Sequence, residues 1–235
     1  MNSKWIKLLA VILVLAVAAG CSKKSTGPSK DEMPEFNGPN VQVPAALTAN
    51  AGDPQVDYAI QLAEAFGQMG GFSDWMEPPT RPVGKTMGDD VWEETWTDED
   101  GVSITLRVQE TSTQITWQLI LSGDLGDGLI VNNFTILSAM EKKDGSEGYL
   151  KIYDPESGEE FFVWAWTSDS TGLNVTFNFA GDFWEIKGRY NNDGSGWLEE
   201  YWEGALTFKI VWTAAGTGEW WTYNNGVQTD HGTFP

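Results

Sequence analysis

The stretch LNVTFNF, residues 173–179, decides the fold because its apolar and polar side chains alternate strictly. Successive side chains of a β-strand point to opposite faces, so a period of two predicts a strand with one buried face. The same period recurs in the runs 102–109, 115–121 and 206–212. Four separate runs of this kind predict that most of the chain forms β-sheet.

Turn signals separate these runs at short intervals. Segments rich in Asp, Asn and Gly occur at 98–101, 143–145, 154–158, 192–194 and 224–226. Asp-Gly and Asn-Gly pairs supply the positive φ that tight hairpins require. From Val91 to the end we therefore predict an all-β meander of about ten to twelve antiparallel strands, which forms a curved sheet or barrel. A two-sheet sandwich is the alternative, because both arrangements bury the apolar faces of so many strands.

One helix precedes the strands. Asp53 is a good N-cap, and Pro54 stands at the first helical position, where its missing N–H costs nothing. Apolar residues then recur at three- and four-residue spacing as far as Met69, and Gly70-Gly71 follows. We predict a helix over residues 54–69 that covers the apolar side of the sheet, and a Pro- and Gly-rich loop over 72–90.

The N-terminus has the pattern of an export signal. Lys4 and Lys7 lie before an apolar run, Leu8–Ala19, that is too short to span a membrane as a helix. Small residues and Cys21 follow, and Cys21 is the single cysteine of the chain, so it cannot form an internal disulfide. Residues 1–20 are therefore predicted to be a signal peptide.

The tetrapeptide Ala18-Ala19-Gly20-Cys21 resembles the lipobox of bacterial lipoprotein precursors. The resemblance implies cleavage between Gly20 and Cys21 and acylation of Cys21 with fatty acids such as palmitate. A membrane partner through this lipid anchor is implied as well. Because Ser22 is not the aspartate associated with inner-membrane retention, the resemblance implies the outer membrane of a two-membrane host, facing the periplasm or the cell surface.

Residues 21–52 contain few large apolar side chains and no periodicity, which predicts a flexible tether between the anchor and a single domain over residues 53–235. Within this tether, Val41–Leu47 is more apolar and is the part that could dock on the domain. The chain has 34 acidic and 14 basic residues and a net charge of −20, which excludes nucleic acid as a partner. The oligomeric state is not predicted.

The sequence offers little for catalysis, and we predict a protein that is not an enzyme. The single histidine, His231, is near the end of the chain, and no nucleophile elbow, phosphate loop or dinucleotide motif occurs. Glu199 and Glu203 are expected to share a strand face with Trp197 and Tyr201, an arrangement that also occurs in sugar-binding clefts. No catalytic residue, metal ligand or cofactor is assigned.

Two acidic segments are rich in oxygen ligands of the kind that calcium prefers, Asp98–Gly101 and Gly123–Gly128. Neither continues into a complete calcium-binding loop, so we interpret both as hairpin loops.

Thirteen tryptophans are the remaining signal. Most are expected in the core, but the run 161–166 and the pair Trp220-Trp221 are apolar on both strand faces, which suits either a layered core or a ligand surface. We expect a non-catalytic envelope protein that binds an apolar or amphipathic ligand inside the curved sheet. In layout this is similar to envelope lipid carriers built as an open barrel with a helical lid. The alternatives are a surface module that binds glycan or protein through exposed aromatics, and a glycan-cleaving enzyme. The ligand-binding residues are not predicted.

Overall fold

The computed structural model describes residues 33–68, 76 and 90–235, and its main feature is one twelve-stranded sheet. The strands follow one another across the sheet in chain order, and every neighbouring pair is antiparallel. Their bounds are β1 Val91–Thr97, β2 Ser103–Glu110, β3 Gln114–Asp124, β4 Ile130–Lys142, β5 Glu147–Tyr153, β6 Glu160–Asp169, β7 Gly172–Phe179, β8 Trp184–Asn191, β9 Gly196–Trp202, β10 Ala205–Trp212, β11 Gly218–Asn224 and β12 Val227–Phe234. The predicted antiparallel meander is confirmed.

The sheet is open. Strands β1 and β12 form its two edges and do not pair with each other in the described part of the chain. Of the predicted forms, a single open sheet is therefore the observed one, and a closed barrel is not. The alternative of two separate sheets is wrong because all twelve strands belong to one hydrogen-bonded sheet.

One face of the sheet, which we call the inner face, holds the core. It carries a continuous set of buried side chains because alternation places every second residue of each strand there; among them are Leu106, Trp117, Leu137, Leu150, Trp164, Ile186, Leu198 and Ile210. The opposite, outer face carries charged residues such as Arg107, Lys187 and Glu199. Burial on one face and solvent on the other explains the period of two in the sequence.

Two helices precede the sheet, α1 (Ala45–Thr48) and α2 (Pro54–Gln68). The Asp53 carboxylate accepts the backbone N–H of Gln55 at 2.8 Å and of Val56 at 3.3 Å, so the predicted N-cap is confirmed. Apolar residues of α2 join the same core as the inner face; they are Val56, Ala59, Leu62, Ala63 and Phe66. The predicted end of the helix at Met69 and most of the loop 72–90 lie outside the described residues.

The prediction of a flexible tether up to Gly52 is wrong from Met33 onward. Met33, Phe36 and Leu47 are buried in the core, and the Trp117 indole donates a 3.1 Å hydrogen bond to the carbonyl of Pro34. The more apolar part, Val41–Leu47, packs on the domain, and its residues Val41, Ala46 and Leu47 belong to the core. A low content of apolar residues indicates flexibility when a segment must form its own hydrophobic core. This segment packs on the sheet, which supplies most of the core, so a few apolar side chains are enough to hold it.

The signal peptide, the cleavage site at Gly20 and the proposed lipidation at Cys21 lie outside the described residues. Among those that are described, no helix is both long and apolar enough to cross a bilayer.

Large aromatic rings fill part of the inner face, and glycines make room for them. A Cβ atom on Gly148 would lie 2.1 Å from the Trp166 ring, and one on Gly196 would lie 2.5 Å from the Trp212 ring. Phe36 adds a ring from the N-terminal segment, with its centroid 5.3 Å from that of Trp117. This part of the inner face is therefore occupied by side chains of the protein itself.

Candidate functional site

A cleft of about 620 Å³ lies between the N-terminal segment and one end of the sheet. Residues 40–46 and Ala49 form one wall. The other wall has Leu173 on β7, Tyr190 on β8 and Trp212 on β10. The turns after β8 and β10 also contribute, mainly through small residues; these are Gly194, Ser195, Ala214, Ala215 and Gly216.

The described lining of the cleft is uncharged and mostly apolar. Several of its polar groups already have partners within the protein. The Trp212 indole donates a 3.0 Å hydrogen bond to the carbonyl of Gly194, and the Asn191 amide donates to Ser195 Oγ at 2.9 Å. These contacts hold the wall in place, so its shape does not depend on a ligand.

Tyr190 differs from its neighbours because its hydroxyl is buried and has no hydrogen-bond partner in the described structure. Burial raises the pKa of this phenol above its ordinary value, so the hydroxyl keeps its proton. A buried hydroxyl without a partner costs about 1–3 kcal/mol. The ring of Tyr190 therefore lines the cleft, whereas its hydroxyl has less than 1 Å² of accessible surface.

A second polar feature joins α2 to the inner face. Glu200 on β9 is the one buried charged side chain of the described residues, with 9% of its surface exposed. Its carboxylate accepts hydrogen bonds from the Tyr58 hydroxyl at 2.6 Å, the Trp184 indole at 2.9 Å and the Thr207 hydroxyl at 2.8 Å. Burial and the neighbouring carboxylate raise the pKa of Tyr58, and burial is the larger cause. Three donors satisfy this carboxylate, so it is a structural anchor.

Beside this anchor, two aromatic side chains lie on the surface. Phe183 ends a short 3-10 turn, Gly181–Phe183, and Trp202 ends β9. Their ring centroids are 4.5 Å apart, and both rings are exposed. We call Phe183 and Trp202 the surface aromatic pair.

Glu199 and Glu203, which the sequence predicted on one strand face, do not share a face in the structure. Glu199 lies on the outer face with Tyr201 as expected, and its carboxylate contacts Lys209 Nζ at 2.9 Å and the Tyr201 hydroxyl at 2.8 Å. Burial alone would raise the pKa of Glu199, but Lys209 and Tyr201 outweigh it and lower the pKa. Glu203 lies in the turn after β9 with φ of 49°, so the expectation that it shares this strand face is wrong.

The other candidates for chemistry serve local structure. His231 stacks on Trp221 with ring centroids 5.2 Å apart, and its Nε2 lies 3.3 Å from a Glu219 oxygen. In the acidic turns, Asp98 accepts the N–H of Val102 at 2.8 Å, and Asp124 accepts that of Gly126 at 2.9 Å. No cluster of three or more potential metal ligands occurs in the described ranges.

Comparison with protein-family models gives no match, and comparison with curated proteins finds no significant similarity. Function therefore has to be argued from the cleft and the surface aromatic pair themselves. Sequence reasoning missed both. The sequence did contain a usable signal for the pair: Gly181 lies two positions before Phe183, and Gly204 lies two positions after Trp202, so both aromatic residues are close to turns.

Proposed function

We propose that this protein is a non-catalytic, lipid-anchored binding protein of the cell envelope that holds a neutral amphipathic molecule in the cleft. The observation that carries the proposal is the apolar, uncharged lining of the cleft, which includes the rings of Tyr190 and Trp212. The volume of about 620 Å³ lies within the range of about 300–1,000 Å³ that is usual for small-molecule sites.

The ligand class follows from the lining and from the charge of the protein. Val41, Leu173 and Trp212 suit an acyl chain, since burial of apolar surface is the main source of affinity for such a group. The net charge of −20 disfavours an anionic head group. A neutral head group fits both features. The proposed site lies at the ends of strands β7, β8 and β10, whereas the sequence led us to expect a site inside the curved sheet.

The non-catalytic part of the proposal is supported by the two best-placed carboxylates. Glu199 is paired with Lys209, and Glu200 is saturated with donors. Neither carboxylate is free to meet a substrate, as a general acid must be. The glycan-cleaving alternative therefore receives no support from these residues.

The binding test uses the protein from Ser22 onward, which keeps every described residue, and monomyristoyl glycerol as the probe. Native mass spectrometry should find a one-to-one complex. Ala49→Trp places an indole in the cleft and should abolish the complex, whereas Thr48→Trp, one residue away and outside the lining, should preserve it. No complex, or equal effects of the two tryptophan variants, would overturn the proposal.

The anchor has its own test. In a bacterial host, the full-length protein should incorporate labelled palmitate and fractionate with membranes. A Cys21→Ala variant should lose the label. Incorporation that persists in this variant would refute lipidation at Cys21.

A further inference from the structure

The surface aromatic pair is unusual among the exposed apolar side chains of the described residues. Four large ones are exposed there: Ile130 at 76%, Val227 at 68%, Trp202 at 46% and Phe183 at 41%. Only Trp202 and Phe183 are aromatic, and their rings contact each other. Isolated exposed apolar residues are ordinary, but two adjoining aromatic rings expose a continuous apolar area.

The backbone on both sides of the pair is fixed. The N–H of Glu203 donates to the carbonyl of Phe183 at 2.9 Å, so the turns that carry the two rings are joined directly. Ala180 and Glu203 flank the pair with φ of 54° and 49°, a left-handed conformation that costs about 1–2 kcal/mol for a residue other than glycine. The N–H of Ala180 donates to the carbonyl of Phe161 at 2.6 Å, which holds this conformation in place.

The side chains next to the pair are also held in place. Trp184 lies directly opposite Trp202 on the neighbouring strand, and the Trp184 indole is held by the Glu200 carboxylate. Glu200 in turn is held by Tyr58 of α2. A preformed site loses little conformational entropy when it binds a ligand.

Charge narrows the choice of partner. Glu203 is exposed beside Trp202, and the whole chain carries a net charge of −20. Nucleic acids and anionic lipid head groups are therefore repelled. Sugar rings of a neutral glycan present flat C–H faces that match aromatic rings, and their hydroxyl groups tolerate nearby carboxylates. We propose that Phe183 and Trp202, whose ring planes are inclined by 55°, form a platform for a neutral glycan in which a sugar ring stacks on one of the two rings. This second site is separate from the cleft.

The test uses the full-length protein in mild detergent and a panel of neutral hexasaccharides of glucose, mannose, xylose and N-acetylglucosamine. Isothermal titration should find binding to at least one of them. Trp202→Ala and Phe183→Ala should each weaken this binding at least tenfold. Ile130→Ala and Val227→Ala, which remove exposed apolar side chains elsewhere, should leave it unchanged, as should the cleft variant Ala49→Trp. Far-UV circular dichroism would verify that each variant is folded.

Three outcomes would overturn the glycan platform. The first is that no hexasaccharide binds, and the second is binding that survives both alanine substitutions. The third is that vesicles of phosphatidylcholine with brominated acyl chains quench tryptophan emission of the wild-type protein but not of Trp202→Ala, which would place the pair in a bilayer. Since Ala49→Trp blocks only the cleft, failure of the glycan platform and failure of the cleft proposal are distinguishable.

Discussion

The hydroxyl of Tyr58 on α2 donates a 2.6 Å hydrogen bond to Oε1 of Glu200 on β9, and this contact joins the covering helix to the sheet. The two residues are 142 positions apart in the chain. The ring of Tyr58 also packs edge-on against Phe208, with centroids 5.2 Å apart. One side chain thus provides both an apolar and a polar contact between the two layers.

Two tyrosines of this protein should respond in opposite ways to the loss of the hydroxyl. Tyr58→Phe removes a hydrogen bond to a charged acceptor and should lower the free energy of unfolding by about 1.5–3 kcal/mol. Tyr190→Phe removes a buried hydroxyl that has no described partner, so stability should stay the same or rise by up to about 1 kcal/mol. Urea denaturation measures both, and a similar loss in the two variants would contradict this assignment.

Glu199 and Glu200 form a matched pair for substitution because they are neighbours on opposite faces. Glu200→Gln puts an amide group toward hydrogen-bond donors and should cost about 2 kcal/mol or more. Glu199→Gln breaks a partly exposed ion pair with Lys209 and should cost less than about 1 kcal/mol. Both free energies come from urea curves at neutral pH. An effect at Glu199 as large as that at Glu200 would argue against the anchor role.

Acid should weaken the fold partly through Asp169. The Arg189 guanidinium, followed by Thr171, lowers the pKa of this carboxyl below its ordinary value. A group with a lower pKa in the folded state stabilises the fold above its unfolded pKa of about 3.9, and the contribution is lost as pH falls below that value. Asp169→Asn should therefore reduce the loss of stability between pH 6 and pH 3, measured by urea midpoints. An unchanged pH dependence would contradict the prediction.

The N-terminal segment should prove to be part of the folded domain. Phe36 is buried and contacts the rings of Trp117, Trp164 and Trp166, so Phe36→Ala should cost about 3–5 kcal/mol. Asn37→Ala, at the exposed neighbouring position, should change stability by less than about 0.5 kcal/mol. If residues 33–52 were a loose tether, both variants would unfold at the same urea concentration as the wild type.

The strands and the helix start could be predicted because their signals are local. Alternation over 102–109 predicted β2, and Asp53-Pro54 predicted the start of α2, since each pattern lies within one element. Alternation even implies that Glu200 shares a face with Leu198. Its partner Tyr58, however, comes from a distant element, and no local pattern encodes that pairing.

The docking of Phe36 and the sites themselves could not be predicted for the same reason. A single aromatic residue in a polar segment has no period, so composition indicates flexibility even where the ring finds a ready-made surface. The surface aromatic pair depends on the register of the β8–β9 hairpin, which places Trp184 opposite Trp202. The cleft depends on where residues 40–49 lie across the strand ends, which is a property of the tertiary structure.

The meander topology has a consequence for biosynthesis. Each strand pairs only with strands next to it in the chain, so the sheet can grow in the order in which the ribosome makes it. The N-terminal cover is made first, but Asn50 bonds to the carbonyl of Gly216, 166 positions later. The earliest segment thus begins to gain partners when β3 is made, but its contacts are complete only after β10. We expect proteases to cut residues 33–52 in a chain that ends before β10, and to spare them in a chain that includes β10 and the turn that follows.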